Sequence, residues 1–210
     1  LHSDELLHEV LAKEGGLRTE RRLSHVFAMS VPSYHKPLFV TDAAVNIFPG
    51  LDDKADICRN AIDLLHVLGV ARPKVALLSA VETINTRLPS TLEAAALVVM
   101  SLRGQIEGAL LDGPLAFDNA ISAEAARIKG IHSEVAGDPD ILLVPDLEAG
   151  NILAKQLIYL SGAESAGLVL GARVPIVFTS RSDSLRARVA SCALGALLAE
   201  ARRGALGAPA

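Results

Sequence analysis

A serine and an arginine stand side by side where an apolar run of the sequence ends and a helical pattern begins. The run is VPIVFTS (174–180), and Ser180 is followed by Arg181, Ser182 and Asp183. A hydroxyl, a guanidinium and the free N–H groups of a helix N-terminus can together bind a phosphate. The same residues also fit a structural role, with a serine as helix cap, Asp183 in the first turn and Arg181 in solvent. The spacing alone leaves both interpretations open.

Polar side chains also follow the other apolar runs of the chain. In α/β folds, ligands collect beyond the carboxyl ends of strands, where loops bring such groups together. For the segment DLEAGN (146–151), a special backbone angle at Gly150 and a helix cap at Asn151 are alternatives to ligand binding. We therefore expect a site built from several loops, with candidate residues Asp42, Asn46, Asp112, Asp146, Glu148 and Asn151.

The sequence gives little support for a metal or a nucleotide cofactor. Asp112 and Asp118 could ligate a metal, as in dehydrogenases that decarboxylate hydroxy acids, but their six-residue spacing favours turn and cap roles. The six histidines lack zinc spacing, and no CxxC, GxGxxG or GxxxxGK[ST] motif occurs. We predict no metal and no cofactor.

Composition narrows the class of protein. Half of the 210 residues are hydrophobic and only 3% are aromatic, so the core must be built from Leu, Val, Ile and Ala. The net charge of −4 argues against a nucleic-acid partner. No apolar run reaches the roughly 18 residues of a membrane helix, and no signal peptide is visible. Cys58 and Cys192 fall at apolar helical positions, which predicts free, core-packed thiols and a cytoplasmic location.

Short apolar runs alternate with helical patterns along the whole chain, which predicts an α/β fold with a largely parallel sheet. Ser90 and Asn151 are the expected first residues of two of the helices. The predicted helices cover 3–13, 52–69, 90–100, 118–129, 151–160 and 182–203, and the predicted strands cover 24–31, 38–46, 74–80, 107–114, 140–146, 166–171 and 174–180.

At these strand ends the sequence closely resembles the phosphate acetyl/butyryltransferase family. The likeness covers essentially all 210 residues, and the VPDLEAGN and TSR segments are specific to the family. It is nearest the butyryltransferase branch and the acyltransferase half of proteins with an upstream enoyl-CoA hydratase domain. The matching stretches are LHSDELLHEVL (1–11), GLRTERRLSHVF (16–27), FVTDAAVN (39–46), KVALLSAVE (74–82), LDGPLAFDNAIS (111–122), VAGDPDILLVPDLEAGNILAKQL (135–157) and GARVPIVFTSRSDS (171–184).

The resemblance implies a fold like that of isocitrate and isopropylmalate dehydrogenases, with two α/β domains and a cleft between them. Residues 31–172 would form the second domain, and residues 1–30 and 173–210 the remainder of the first. Family members usually carry a further α/β segment ahead of Leu1, which implies that this chain by itself is inactive or nearly so. The cleft would lie between one wall with Asp42, Asn46, Asp146 and Asn151 and another with Ser180 and Arg181.

The chemistry implied is reversible transfer of a short acyl group, acetyl or butyryl, between CoA and inorganic phosphate, without a metal or a covalent enzyme intermediate. Ser180, Arg181 and an arginine of GLRTERR (Arg18 or Arg21) would neutralise phosphate and hold it against the thioester. In the phosphate acetyltransferase branch a catalytic aspartate follows this arginine by six residues, and that position is Ala187 here. Asp183 is the only nearby carboxylate and is therefore the candidate general base.

The family also implies a homodimer or larger homo-oligomer. Two other functions stay open at this stage. One is a dehydrogenase of the same superfamily, and the other is a non-catalytic acyl-CoA-binding or assembly fragment.

Overall fold

The computed structural model describes residues 9–10, 12 and 15–207. The helix predicted at 3–13 therefore lies almost wholly outside the described residues. Seven strands and six helices follow it in the described part. The strands are β1 Ser24–Ser30, β2 Leu38–Thr41, β3 Lys74–Leu78, β4 Leu110–Leu115, β5 Ile141–Leu143, β6 Glu164–Leu170 and β7 Ile176–Val177. The helices are α1 Leu51–Val67, α2 Pro89–Leu102, α3 Phe117–Ile121, α4 Ala123–Ile128, α5 Leu147–Leu160 and α6 Leu185–Gly207.

All seven strands form one mixed sheet in the order β4-β3-β5-β2-β1-β6-β7. Strands β4, β3, β5 and β2 are parallel, whereas β1 pairs antiparallel with both β2 and β6, and β6 pairs antiparallel with β7. The α/β class is confirmed, but the prediction of a largely parallel sheet is wrong. The reason is connectivity, because β1–β2 and β6–β7 are joined by short loops without the crossover helix that parallel pairing needs.

Helices cover both faces of this sheet. Successive residues of the buried strands point to opposite faces, so Leu142 of β5 packs in one cluster while Ile141 and Leu143 pack in the other. One cluster joins the sheet to α1, α2 and α6, and the other joins it to α5 and the α3–α4 region. The division into 1–30 with 173–210 and 31–172 stays a prediction.

Two helices differ in their starts from the predictions. The helix predicted at 118–129 breaks at Ser122, whose Oγ accepts the Ala125 N–H at 3.2 Å and so starts a new helix. Ser90 does not cap α2, which begins at Pro89. Its hydroxyl instead pairs with that of Ser79 at 2.8 Å.

Strands near the site are shorter than predicted. The run predicted at 38–46 ends at Thr41 because the Asp42 carboxylate folds the next residues into a turn. The run predicted at 174–180 is reduced to a two-residue strand at the sheet edge.

The two cysteines differ in burial. Cys58 is buried as expected, but Cys192 is exposed on α6. Among the described helices, none has the length and apolar character needed to cross a membrane.

Candidate functional site

A cleft of about 1140 Å³ opens beside the antiparallel end of the sheet. Its walls come from β1, β6, the chain after β7, helix α5 and the first turns of α6. Of the nine predicted site residues, the structure brings Asn151, Ser180, Arg181 and Asp183 together around this cleft. The other five do not line it.

Residues 42–46, which we call the Asp42 loop, follow β2, and of them only Ala44 lines the cleft. Both carboxylate oxygens of Asp42 accept hydrogen bonds from within the loop. Oδ1 accepts the N–H groups of Ala44 and Val45 at 3.0 and 3.1 Å. Oδ2 accepts the backbone N–H and the side-chain amide of Asn46 at 3.0 and 2.5 Å. Asp42 is only 3% exposed, so its carboxylate is a buried structural acceptor.

The side chain of Asn46 is also fully engaged. Its Nδ2 donates to the Leu23 carbonyl at 2.7 Å, and its Oδ1 accepts from Arg22 Nε at 2.7 Å. These contacts tie the loop to the chain that enters β1. A substrate could reach Asp42 or Asn46 only by breaking bonds that the fold itself uses, so their predicted role in substrate binding stays a prediction.

The start of α5 explains the DLEAGN segment. Asp146 is the N-cap, because its Oδ1 accepts the Ala149 N–H at 2.8 Å. Asn151 is therefore not the first residue of the helix. A Cβ on Gly150 would lie 2.9 Å from the Asp42 carbonyl oxygen, so the absence of a side chain there lets the helix approach the Asp42 loop. Asn151 donates to the Ala43 carbonyl at 3.1 Å and reaches the cleft.

Residues 179–184, which we call the Ser180 loop, form the opposite rim of the cleft. Asp183 Oδ2 accepts the Ser180 N–H at 2.6 Å, and the Asp183 N–H donates to the Ser180 carbonyl at 3.1 Å. Ser184 Oγ accepts the Ala187 N–H at 3.1 Å and so caps α6. The loop is thus closed by its own polar groups.

The positive groups at the cleft differ in how they are paired. Arg186 forms an ion pair with Glu164 at 2.8 Å. Arg181 and Lys155 are exposed, and within the described part of the chain neither side chain forms an ion pair with a carboxylate. An unpaired guanidinium in a cleft that Ser180 also lines is suited to an anionic ligand.

The two arginines predicted to assist are held elsewhere. Arg21 Nη1 pairs with Asp63 of α1 at 2.7 Å. Arg18 is exposed and bridges the backbone of Ala172. Neither lines the cleft. Their role in binding phosphate stays a prediction, and their positions outside the cleft do not favour it.

The sequence analysis missed His25, which lines the cleft from β1 and is 1% exposed. Burial lowers the pKa of the imidazole to about 4, while Asp42, hydrogen bonding to the Phe178 backbone and Asp183 each act to raise it. The ring is therefore neutral near pH 7. The one feature of the sequence that could have indicated His25 is the presence of a histidine within the apolar run 24–31.

The rest of the cleft is mixed in character. Phe27 of β1 and Ile158 and Tyr159 of α5 supply apolar surface facing the polar rim. In the described residues, no three His, Cys, Asp or Glu side chains lie together as metal ligands would. Asp118, one of the alternative metal ligands, instead pairs with Lys129 at 3.0 Å. The arrangement can hold an anion next to an apolar group.

Comparison with known proteins agrees with this geometry. The family model described as "Phosphate acetyl/butaryl transferase" matches residues 2–196. The chain is 64% identical to a phosphate acetyltransferase of Rhizobium meliloti over 98% of its length. It is 47% identical to a phosphate butyryltransferase of Clostridium acetobutylicum over 92% of its length.

Solved structures give the same answer. A branched-chain phosphotransacylase from Enterococcus faecalis V583 matches with a TM-score of 0.86 and 35% identity, covering 95% of this chain and 71% of that one. A phosphotransacetylase from Streptococcus pyogenes matches with a TM-score of 0.75 and 26% identity, covering 89% of this chain and 56% of that one. These neighbours are phosphotransacylases and give no link to the isocitrate or isopropylmalate dehydrogenase fold, so that part of the fold prediction is wrong.

The chain spans 65% of the Rhizobium enzyme's length and 64% of the Clostridium enzyme's length. The resemblance noted from the sequence motifs is confirmed. The family model and the relatives together show that the chain belongs to the phosphate acetyl/butaryl transferase family.

Proposed function

We propose that this protein is a phosphate acyltransferase, which transfers a short acyl group reversibly between CoA and inorganic phosphate in the cleft beside the Ser180 loop. Relatives named phosphate acetyltransferase and phosphate butyryltransferase support the reaction class. The observation that carries the proposal is the exposed guanidinium of Arg181, which no described carboxylate pairs with, in a cleft that Ser180 also lines.

The main physical difficulty of the reaction is repulsion, because phosphate and the CoA thiolate are both anionic. Arg181 neutralises part of the phosphate charge and orients it through its planar fork, and Ser180 donates a further hydrogen bond. Lys155 adds positive charge from the α5 wall. Holding phosphate at this rim places its oxygen against an acyl thioester bound in the cleft.

The acyl group occupies the apolar side of the cleft, near Phe27, Ile158 and Tyr159. The relatives carry both the acetyl and the butyryl names. Chain-length preference is therefore part of the proposal to be measured, with acetyl-CoA and butyryl-CoA as the first pair of substrates.

Asp183 is the proposed general base. Asp183 lies in the cleft, and its Oδ2 accepts the Ser180 N–H, while no described donor occupies its Oδ1. That free oxygen is the candidate acceptor for the CoA thiol proton when acyl phosphate is consumed. The position six residues after Arg181 is Ala187, which carries no ionisable group.

The test measures CoA release from acetyl-CoA and butyryl-CoA in the presence of phosphate, using the full-length protein and Arg181→Ala. Loss of a charge-assisted phosphate contact should lower kcat/KM for phosphate roughly tenfold to a hundredfold, with a small effect on KM for acyl-CoA. Arg103→Ala is the matched control, because Arg103 is an exposed arginine beyond α2 and does not line the cleft. No phosphate-dependent CoA release from the unmodified protein would leave the non-catalytic acyl-CoA-binding alternative.

The proposal also includes a cytoplasmic location, a homodimer or larger homo-oligomer, and activity without metal or cofactor. Sedimentation measures the oligomeric state. Full activity after exhaustive chelation would support metal-independent chemistry.

A further inference from the structure

His25 occupies an unusual position for a histidine. It lies in β1, between the neighbouring strands β2 and β6, and its ring is buried. The Thr41 hydroxyl donates to its backbone carbonyl at 2.8 Å. The ring packs edge-on against Phe27 with centroids 4.3 Å apart and against Phe178 with centroids 6.2 Å apart. The imidazole therefore connects the centre of the sheet to the chain that leaves β7.

That chain leaves the sheet early. Pairing of β7 with β6 covers only Ile176 and Val177. The next N–H along β6, that of Gly167, donates instead to Ser191 Oγ of α6 at 2.9 Å. Hydrogen bonding within the sheet thus stops just before Phe178, and the Ser180 loop begins directly after it.

The His25 ring and the Phe178 backbone come together at Gly167. A Cβ on Gly167 would lie 2.9 Å from His25 Nε2 and 3.0 Å from the Phe178 carbonyl oxygen. Both atoms therefore converge over the bare Cα of this glycine. Any side chain at Gly167 would push one of them away.

The polar atoms of the ring define its protonation. Nδ1 is buried and has no hydrogen-bond partner among the described groups. A proton at Nδ1 would have no acceptor, so the neutral form favoured here carries its hydrogen on Nε2, the ring nitrogen that lies near the Phe178 carbonyl over Gly167. The charged groups that act on the ring are Asp42 of the Asp42 loop and Asp183 of the Ser180 loop.

We propose that His25 is a positioning residue, whose ring holds the Phe178 backbone over Gly167 and thereby fixes the Ser180 loop at the rim of the cleft. The proposal rests on the proposed function only where phosphate kinetics are used. The placement of the loop itself can be measured without any activity.

The first experiment is hydrogen exchange of the peptide covering residues 176–184 in the full-length protein. His25→Leu removes the donor and should speed exchange in this peptide at least about tenfold, with β3 and β5 unchanged. His25→Gln places an amide nitrogen near the position of Nε2 and should keep exchange slow. His132→Leu, at an exposed histidine away from the cleft, is the control. Unchanged exchange at 176–184 in His25→Leu would overturn the proposal.

His25→Asn provides a second comparison in case His25→Leu fails to fold. Its amide reaches only as far as Nδ1, so this variant should lose loop protection while His25→Gln keeps it. Equal exchange in the two variants would contradict the role assigned to Nε2. Gly167→Ala, which keeps the histidine side chain at position 25, should loosen the same peptide because its Cβ separates the ring from the Phe178 carbonyl.

Phosphate kinetics then separate this inference from the proposed function. In an active enzyme, His25→Leu should raise KM for phosphate about tenfold and KM for acyl-CoA less than about threefold. His25→Gln should restore the phosphate KM. An inactive unmodified protein would count against the proposed function alone, because the exchange result still decides the role of His25. Equal rises in both KM values would overturn the positioning role.

Discussion

The Asp42 loop and the Ser180 loop both follow strands at the antiparallel end of the sheet, yet they use their polar groups in opposite ways. In the Asp42 loop, the carboxylate accepts four hydrogen bonds and the Asn46 side chain makes bonds through both of its polar atoms. In the Ser180 loop, one carboxylate closes the turn, while Arg181 is exposed and lacks a described carboxylate partner.

The difference shows that a polar residue at a strand end is a poor indicator of ligand binding until its partners are known. A buried group with all its hydrogen bonds made within the fold stabilises the fold. An exposed charge beside a cleft, without such partners, is available for a ligand. Experiments on the two loops should therefore separate stability from activity.

The largest effect is expected for Asp42→Ala. The substitution leaves three backbone N–H groups and one N–H of the Asn46 amide without their acceptor in a buried loop. This should lower the free energy of unfolding by at least about 3 kcal/mol. Urea unfolding measures it. Asp52→Ala, an exposed first-turn aspartate of α1, should cost less than about 1 kcal/mol. A similar small loss at both positions would remove the contrast between the loops.

His25, which lies between the two loops, should make stability depend on pH. Its pKa is about 4 in the fold against 6.5 ordinarily, so between these values the unfolded chain takes up a proton that the folded chain does not. The free energy of unfolding should therefore fall as pH decreases through this window, by up to about 3 kcal/mol from this group. His25→Gln should remove that part of the slope. Identical slopes in the two proteins would show that the ring protonates freely in the fold.

Arg181→Lys tests whether the geometry of the exposed charge matters. Lysine keeps the charge but lacks the planar fork, so kcat/KM for phosphate should stay within about threefold of the Arg181→Ala value. Its melting temperature should match that of the unmodified protein, because Arg181 is exposed. Near-complete recovery of phosphate use by lysine would mean that only the charge is needed.

The smallest effect on the use of phosphate is expected for Asp183→Asn. Weakening the contact to the Ser180 N–H should cost about 1 kcal/mol and raise KM for phosphate a few-fold with kcat largely kept. Thermal unfolding and steady-state kinetics measure both. A roughly hundredfold fall in kcat at unchanged stability would instead identify Asp183 as the general base.

Local sequence patterns were sufficient to predict much of the secondary structure and the family of this protein. Apolar runs and helical periodicity located the strands and most of the helices, because each depends on residues close in sequence. The TSR and VPDLEAGN segments indicated the family, and Ser180, Arg181, Asp183 and Asn151 do lie around one cleft. Whether these residues act in catalysis stays a prediction.

Contacts between residues far apart in sequence determined the side-chain partners, the strand directions and the position of His25. Asp63 of α1 engages Arg21, and the Asp42 carboxylate is consumed inside its own loop, which no spacing rule reveals. The directions of β1 and β7 depend on the short β1–β2 and β6–β7 connections, so the sheet is mixed rather than largely parallel. His25 gained its place beside Phe178 only when β1 paired with β6 and brought the ring over Gly167, because burial and partners are properties of the folded chain.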